Sequence, residues 1–177
     1  MMPVGPLMKE HRLIERMIRV MKANLEMAKK EGRINVSFVN TAIDFIKTYA
    51  DKCHHGKEED ILFRELAKKN MSDGHKRTME ELIQEHKMGR NNIKKLAAAK
   101  EEYAQGKEAA LGDIISNMDT LVRFYPKHIE KEDKHFFVPS MDYFTQEERD
   151  KMLVEMGEFD KEMIHRRYTE VVEVHGG

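Results

Sequence analysis

Histidines followed by glutamates at helical spacing are the residues of this sequence best suited to chemistry. Side chains four residues apart lie one above the other on one face of an α-helix, so both can reach one metal ion or two adjacent ions. An imidazole offers a nitrogen ligand, and a carboxylate can bridge two cations and offset their charge. Four of the nine histidines have a glutamate at this spacing: His11 with Glu15, His54 with Glu58, His55 with Glu59, and His128 with Glu132.

The direction in which each helix face points separates candidate ligands from surface residues. The stripe that contains His54 also contains Ile61 and is predicted to be buried. The stripe of His55 contains Asp51 and Glu59, so His55 is predicted to lie on a solvated or flanking face. By this criterion one histidine per helix points inward: His11, His54, His86 and His128.

Counting along the helices from the predicted turns tests this choice independently. At a rise of about 1.5 Å per residue, the four imidazoles reach levels within about 6 Å of one another in an antiparallel arrangement. Glu58 lies level with His86, and Glu132 follows His128 by one turn. Burying these side chains together without a cation would be costly, which favours a metal site over ordinary core histidines. The histidines that do not lie at this level are His75, His135, His165 and His175.

Long helices are needed to position these residues, and the apolar spacing predicts them. Apolar residues recur at helical intervals over about 6–140, interrupted by turn sequences near Gly32, Ser72 and Gly106. No stretch alternates with period two. The sequence therefore predicts an all-α fold, an up-down-up-down four-helix bundle.

A further helix is predicted after the bundle. Thr145 followed by Glu148 resembles a capping box that begins a helix over about 146–172. We expect this C-terminal helix to pack outside the bundle or across one end, so that residues 1–177 form a single domain.

Composition excludes several classes of function. Lys+Arg (31) and Asp+Glu (32) nearly cancel, so a net charge of -1 gives no electrostatic case for nucleic acid or an anionic membrane. No apolar run approaches the roughly 20 residues of a membrane span. Cys53 is the single cysteine and the first residues lack the pattern of a secretory signal, so a cytoplasmic location is expected.

Four motifs in order resemble the hemerythrin-like family, also called HHE cation-binding domains. They are residues 8–12 (Met-Lys-Glu-His-Arg), 54–59 (His-His-Gly-Lys-Glu-Glu), 85–90 (Glu-His-Lys-Met-Gly-Arg) and 128–133 (His-Ile-Glu-Lys-Glu-Asp). The resemblance covers roughly residues 6–140. It implies a non-haem centre of two iron ions, bridged by carboxylates and in some forms by an oxo or hydroxo group. The implied ligands are His11, His54, His86 and His128 through nitrogen, with Glu58 and Glu132 as bridges.

The sequence departs from the oxygen-carrying members of the family in its third helix. Those proteins place two histidines one turn apart there, whereas only His86 fits here, so one nitrogen is missing unless His55 or another side chain supplies it. Asp133 is the alternative to Glu132 as the bridge of the fourth helix. Nitrogen and oxygen donors without an inward thiolate argue against a closed zinc site and favour iron, with manganese and zinc as competitors.

Three hypotheses about function remain open from the sequence. The first is a protein that binds or senses dioxygen, peroxide or nitric oxide, or handles iron under oxidative or nitrosative stress. The second is a di-iron oxidase or peroxidase, and the third is a metal-stabilised interaction module. Tyr49 and Tyr125 are expected near the site, whereas Cys53 is expected to be a small buried hydrophobic residue. Arg90 is expected to pair with a nearby carboxylate.

Overall fold

A computed structural model describes residues 2–174, with side chains described through residue 163. Over this range the chain forms five helical rods and no β-strand, which confirms the predicted all-α class. The rods are α1 (Val4–Glu31), α2 (36–66), α3 (Asp73–Ala104), α4 (111–140) and α5 (Gln146–Val174).

Local sequence accounts for the ends of these helices. α1 ends at Gly32, whose φ of 67° is left-handed and favours glycine, and whose N–H donates to the Ala28 carbonyl. The side chain of Asn35 caps α2 by accepting from the Phe38 N–H. Ser72 caps α3 in the same way. These short, well-capped turns place successive helices side by side.

Two of the rods change their winding partway along. α2 is α-helical over Val36–Phe45 and Arg64–Leu66 and π-helical over Ile46–His55 and Glu58–Phe63. α4 is α-helical over Leu111–Lys131 and Phe137–Ser140 and π-helical over Glu132–Phe136. In a π-helix the hydrogen bond spans five residues instead of four, so the turn widens and the side chains that follow are rotated. The widened turns contain His54, His55, Glu58 and Glu132.

Polar side chains divide the core of the bundle into two apolar clusters. α4 packs against α1 and α3, and α2 packs against α3 and α1. On each of the four helices a buried histidine separates an apolar residue of one cluster from one of the other. In chain order these triplets are Ile14, His11 and Leu7; Ala50, His54 and Ile61; Ile93, His86 and Leu82; and Leu121, His128 and Phe136.

The predicted C-terminal helix is present as α5. Its first turn is held by the predicted capping box, in which the Thr145 N–H donates to Glu148 and the Glu148 N–H donates to the Thr145 hydroxyl. Met152 and Met156 are buried in the apolar cluster at the Leu7 end of the bundle. α5 therefore extends that cluster along the outside of α2.

Among the described helices, none combines the length and the apolar character that crossing a membrane requires.

Candidate metal centre

Five histidines and two glutamates converge in the layer between the two apolar clusters. The six side chains predicted to meet there, on α1 to α4, are all buried: His11, His54, Glu58, His86, His128 and Glu132. The structure adds a seventh, His55, which is 3% exposed. Its ring stacks on that of His86, with 3.9 Å between the ring centroids.

Each of the two carboxylates spans two groups of histidines. Glu58 places Oε1 3.0 Å from Nε2 of His54 and Oε2 3.3 Å from Nε2 of His86. Glu132 places Oε2 3.2 Å from Nε2 of His11 and Oε1 3.2 Å from Nε2 of His128. A carboxylate whose oxygens face opposite ways is suited to bridge two cations.

The donors divide into two clusters, each of which could hold one ion. Within each cluster the donor atoms all lie within 4.8 Å of one another. One cluster comprises His11, His54, Glu58 and Glu132, and the other comprises His55, His86, His128 and Glu58. The arrangement can therefore hold two neighbouring cations, with two histidines on one side and three on the other.

A carboxylate outside the centre orients each of the four predicted histidines. Because an ionised carboxylate only accepts hydrogen bonds, the Nδ1–H of each ring is the donor, and Nε2 is left to face the interior with a lone pair. The four Nδ1-to-oxygen pairs are His11 with Asp133 (2.7 Å), His54 with Glu10 (2.8 Å), His86 with Glu59 (2.6 Å) and His128 with Glu85 (2.7 Å).

Each of these outer carboxylates is in turn paired with a basic side chain. The pairs are Asp133 with Arg12, Glu10 with Lys57, Glu59 with Arg90, and Glu85 with Lys131. The expected pairing of Arg90 is thus confirmed, and its guanidinium also bonds Asp51 at 2.8 Å. The outer pairs fix the rotamers of the carboxylates, which stabilises the orientation of the rings.

Several donor atoms of the centre have no hydrogen-bond partner, which tests whether a metal fits. Among the described residues these atoms include both oxygens of Glu58 and of Glu132 and Nε2 of His86 and His128. Nε2 of His11 and of His54 lie 2.8 Å apart. Two lone pairs that face each other at this distance repel unless a proton or metal ion lies nearby. Buried polar atoms without partners are costly, so this donor set fits bound cations.

Without metal, the electrostatics of the centre favour protonated imidazoles. Burial lowers the pKa of these rings, but the carboxylates of Glu58 and Glu132 outweigh burial. The pKa rises to about 9 for His54, to about 9 for His128 and to about 11 for His86. Protons therefore act as the counter-charge of the two carboxylates.

The pKa values of the two carboxylates and of the fifth histidine, His55, are lowered instead of raised. Burial raises the pKa of Glu132, but the charge of His128 and the neighbouring imidazoles of His11 and His86 bring it well below its usual value. The pKa of Glu58 is lowered mainly by His54, against burial and the charge of Glu132. Burial and the neighbouring His86 lower the pKa of His55 well below 6.5, so this ring is neutral.

The prediction that His55 lies on a solvated or flanking face is wrong, because His55 is buried in the centre, and the reason is the π-helical winding. That prediction assumed that each residue of α2 is rotated about the helix axis by the angle of a regular α-helix. The wider turns of Ile46–His55 change that rotation, so adjacent histidines both face the interior. The nitrogen that α3 lacks is therefore available from α2.

The other residues that the sequence analysis singled out lie around the centre and do not belong to its set of donors. Asp133, the alternative bridge, bonds Nδ1 of His11 and stays outside the centre. Cys53 is partly exposed rather than buried as predicted, and its thiol donates to Asp160 of α5. Tyr125 is buried beside His55, whereas Tyr49 packs on Phe45.

The histidines predicted to lie outside the layer are only partly described. His75 bonds the Tyr143 hydroxyl at 2.7 Å, and His135 is exposed. The side chains of His165 and His175 lie outside the described residues.

Sequence reasoning missed the outer carboxylates Glu10, Glu59 and Glu85. They contact histidines 27 to 44 residues away in the chain, so no local pattern identifies them. One weak signal was present, a lysine three residues after both His54 and His128. Both lysines bond the carboxylate that holds that histidine.

Comparison with known proteins gives one match. The family model described as the hemerythrin HHE cation binding domain matches residues 2–140. Neither the curated proteins nor the solved structures contain a match.

Proposed function

Because this chain belongs to the hemerythrin HHE cation-binding family, we propose that its buried histidines and glutamates bind two iron ions. The proposed nitrogen ligands are His11, His54, His55, His86 and His128, and the proposed bridges are Glu58 and Glu132. The observation that carries the proposal is the opposite facing of the two oxygens of each carboxylate.

The chemistry of the donors favours iron. A structural zinc site is closed by four ligands, usually including thiolates, whereas here seven nitrogen and oxygen donors converge without a thiolate. Imidazole with carboxylate suits iron and also manganese. Iron is therefore the proposed metal, and manganese and zinc are the competitors that metal analysis would distinguish.

The unequal numbers of histidines on the two sides support a ligand-binding role. The side with His11 and His54 supplies one nitrogen fewer than the side with His55, His86 and His128. A metal on the two-histidine side would keep more positions for solvent or an external ligand. When bound, a pair of iron ions would supply reversible electron exchange with dioxygen, peroxide or nitric oxide.

The surroundings of the centre control access to it. The apolar clusters on both sides exclude water, and Phe137 stacks on the ring of His11 at 5.6 Å. A cleft of about 440 Å³ between α2, α3 and α4 reaches His55 and His86 from the surface. Small molecules can therefore approach the side of the centre that contains His55 and His86, which a purely structural site does not require.

We propose on this basis that the protein binds or senses dioxygen, peroxide or nitric oxide, or handles iron under oxidative or nitrosative stress. The test is metal analysis and aerobic absorption spectra after reconstitution with ferrous iron. We expect about two iron ions per chain and absorption bands that change on addition of dioxygen, peroxide or nitric oxide. A colourless protein that retains zinc and responds to none of them would refute the proposal.

A matched pair of histidine variants makes the test specific. His54→Ala should lose most of the iron because it removes a ring that is 1% exposed and faces Glu58. His75→Ala should keep the iron, since His75 bonds Tyr143 far from the centre. Equal iron content in the two variants would place the metal elsewhere.

The size of the cleft favours a second candidate, a di-iron oxidase or peroxidase. Its volume of about 440 Å³ falls in the range of sites for small organic molecules and exceeds the needs of a diatomic ligand. Turnover of added peroxide with an organic electron donor would support this candidate. Binding without turnover would leave the sensing or carrier role.

A further inference from the structure

The C-terminal helix reaches the candidate centre although it lies beyond the residues that the family model matches. α5 begins at Gln146, and the match ends at residue 140. Among the described residues, the contacts that join α5 to α2 beside the centre include Phe159 against Gly56, Asp160 with Lys57, and Glu155 with Arg64.

A continuous line of hydrogen bonds connects α5 with one of the inward histidines. Lys57 donates to Asp160 Oδ1 at 2.7 Å and to Oε1 of Glu10. The other oxygen of Glu10 accepts from Nδ1 of His54 at 2.8 Å. The Lys57 side chain is 0% exposed, so its charge depends on these two carboxylates.

Lys131 lies three residues after His128, as Lys57 lies three residues after His54, and comparison of the two shows how the hydrogen bonds to Lys57 differ. Lys131 bonds Glu85, which holds His128, as Lys57 bonds Glu10, which holds His54. The outer acid on Lys131 is Glu81 of α3, within the bundle, and Lys131 is 29% exposed. On Lys57 the outer acid comes from α5. The bundle therefore orients one ring with its own residues and the other with the help of α5.

The packing of α5 on α2 is close at the same point. A Cβ added to Gly56 would lie 2.8 Å from the tip of the Phe159 ring, which is shorter than any ordinary contact. Glycine at position 56, between His55 and Lys57, therefore lets α5 approach closely enough for Asp160 to reach Lys57.

We propose that α5 is a positioning element of the metal centre. Asp160, acting through Lys57 and Glu10, holds His54 in the orientation that a metal requires, so docking of α5 and metal binding strengthen each other. Asp160 and Lys57 are positioning residues because they touch only other protein groups. The inference rests on the proposed metal centre but is independent of iron and of oxygen chemistry.

Zinc affinity of two charge-matched variants tests the proposal. Asp160→Asn removes the negative charge that pairs with Lys57 and leaves a neutral amide oxygen as the acceptor of Lys57 and Cys53, whereas Glu155→Gln removes the same charge from α5 but weakens only the exposed pair with Arg64. Competition with a chromophoric zinc chelator measures affinity. We expect Asp160→Asn to bind zinc about tenfold more weakly, as loss of outer partners of metal-bound histidines typically does. Glu155→Gln should differ from the unmodified protein by less than about twofold, and Asp160→Glu should recover most of the loss.

The effect of zinc on hydrogen exchange of the α5 amides supplies a second readout. A contact that only holds α5 in place would not make this exchange depend on zinc. Because coupling between two events is reciprocal, zinc should slow exchange over residues 146–163 in the unmodified protein and in Glu155→Gln. In Asp160→Asn the zinc-dependent slowing should disappear.

The outcomes separate the two proposals. If the unmodified protein binds no zinc, manganese or iron, the metal centre itself fails and the role of α5 fails with it. If it binds zinc and the Asp160→Asn and Glu155→Gln variants behave alike in both measurements, only the positioning role of α5 is overturned.

Discussion

Metal loading of the metal-free protein should release protons, and the number follows from the centre. The raised pKa values of His54 and His128 (about 9) and of His86 (about 11) keep all three rings protonated at pH 7. A metal binds the neutral ring, so each of these protons must leave. We therefore expect about three protons per chain at pH 7, because each ring gives up one on binding.

The other donors of the centre determine how far the number of released protons can depart from three. Glu58 and Glu132 release no proton because their lowered pKa values leave them ionised at pH 7. His55 releases none because its pKa lies well below 6.5. His11 has a raised pKa, against burial, through Asp133 and adds up to one proton.

The assay is a titration of metal-free protein with zinc or ferrous iron in weakly buffered solution containing a pH indicator. Addition of a chelator should return the same number of protons to the protein, once the protons that the chelator itself releases on binding the metal are subtracted. The variant His55→Ala is the control, because it should lower affinity and leave the proton count unchanged. Release of less than about one proton per chain at saturation would refute this electrostatic description, because the rings would then already be neutral.

The remaining predictions concern stability, the fifth histidine and the packing of α5. Glu58→Gln should destabilise the metal-free protein, because it removes a counter-charge of the protonated His54 and His86 rings, and it should also weaken metal binding; a metal-free variant that unfolds at the same or a higher temperature than the unmodified protein would contradict this. The metal-free protein should lose stability as pH rises from about 6.5 through 9, because histidines with raised pKa values stabilise the fold only while their rings are protonated. The metal-loaded protein should not lose stability over this pH range. His55→Ala should weaken zinc binding by at least about tenfold and His75→Ala should not; a chelator competition that finds equal affinities would exclude His55 as a ligand. Gly56→Ala should loosen α5 and weaken zinc binding, and adding Phe159→Ala should restore part of both, unless the contact at Gly56 is irrelevant to docking.

The fold was predictable because every local signal agreed with the same architecture. Gly32, Ser72 and the pair of Thr145 and Glu148 mark helix ends, and the structure uses each of them as predicted. The convergence of the side chains was also predicted from helix geometry, because facing and height follow from residue spacing over the regular stretches that contain His11, His86 and His128.

The parts of the centre that sequence reasoning missed depend on geometry that residue spacing does not contain. His55 lies in a π-helical stretch, where the rotation per residue differs from that of an α-helix. The outer acids of α1 and α3 act across helix interfaces, and their partners are set by packing. The role of Asp160 depends on where α5 docks, which helical spacing within α5 does not specify.

The widened turns of α2 make the centre sensitive to chain length as well as to composition. If the widened turns kept their winding, deleting one residue between 46 and 53 would turn the residues beyond by about 100° relative to α3. Such a shortened chain would keep every histidine and glutamate of its motifs, yet its donors would point past one another. Two homologous sequences with identical motifs could thus differ in metal content through a single insertion, and helix length is the feature to compare first.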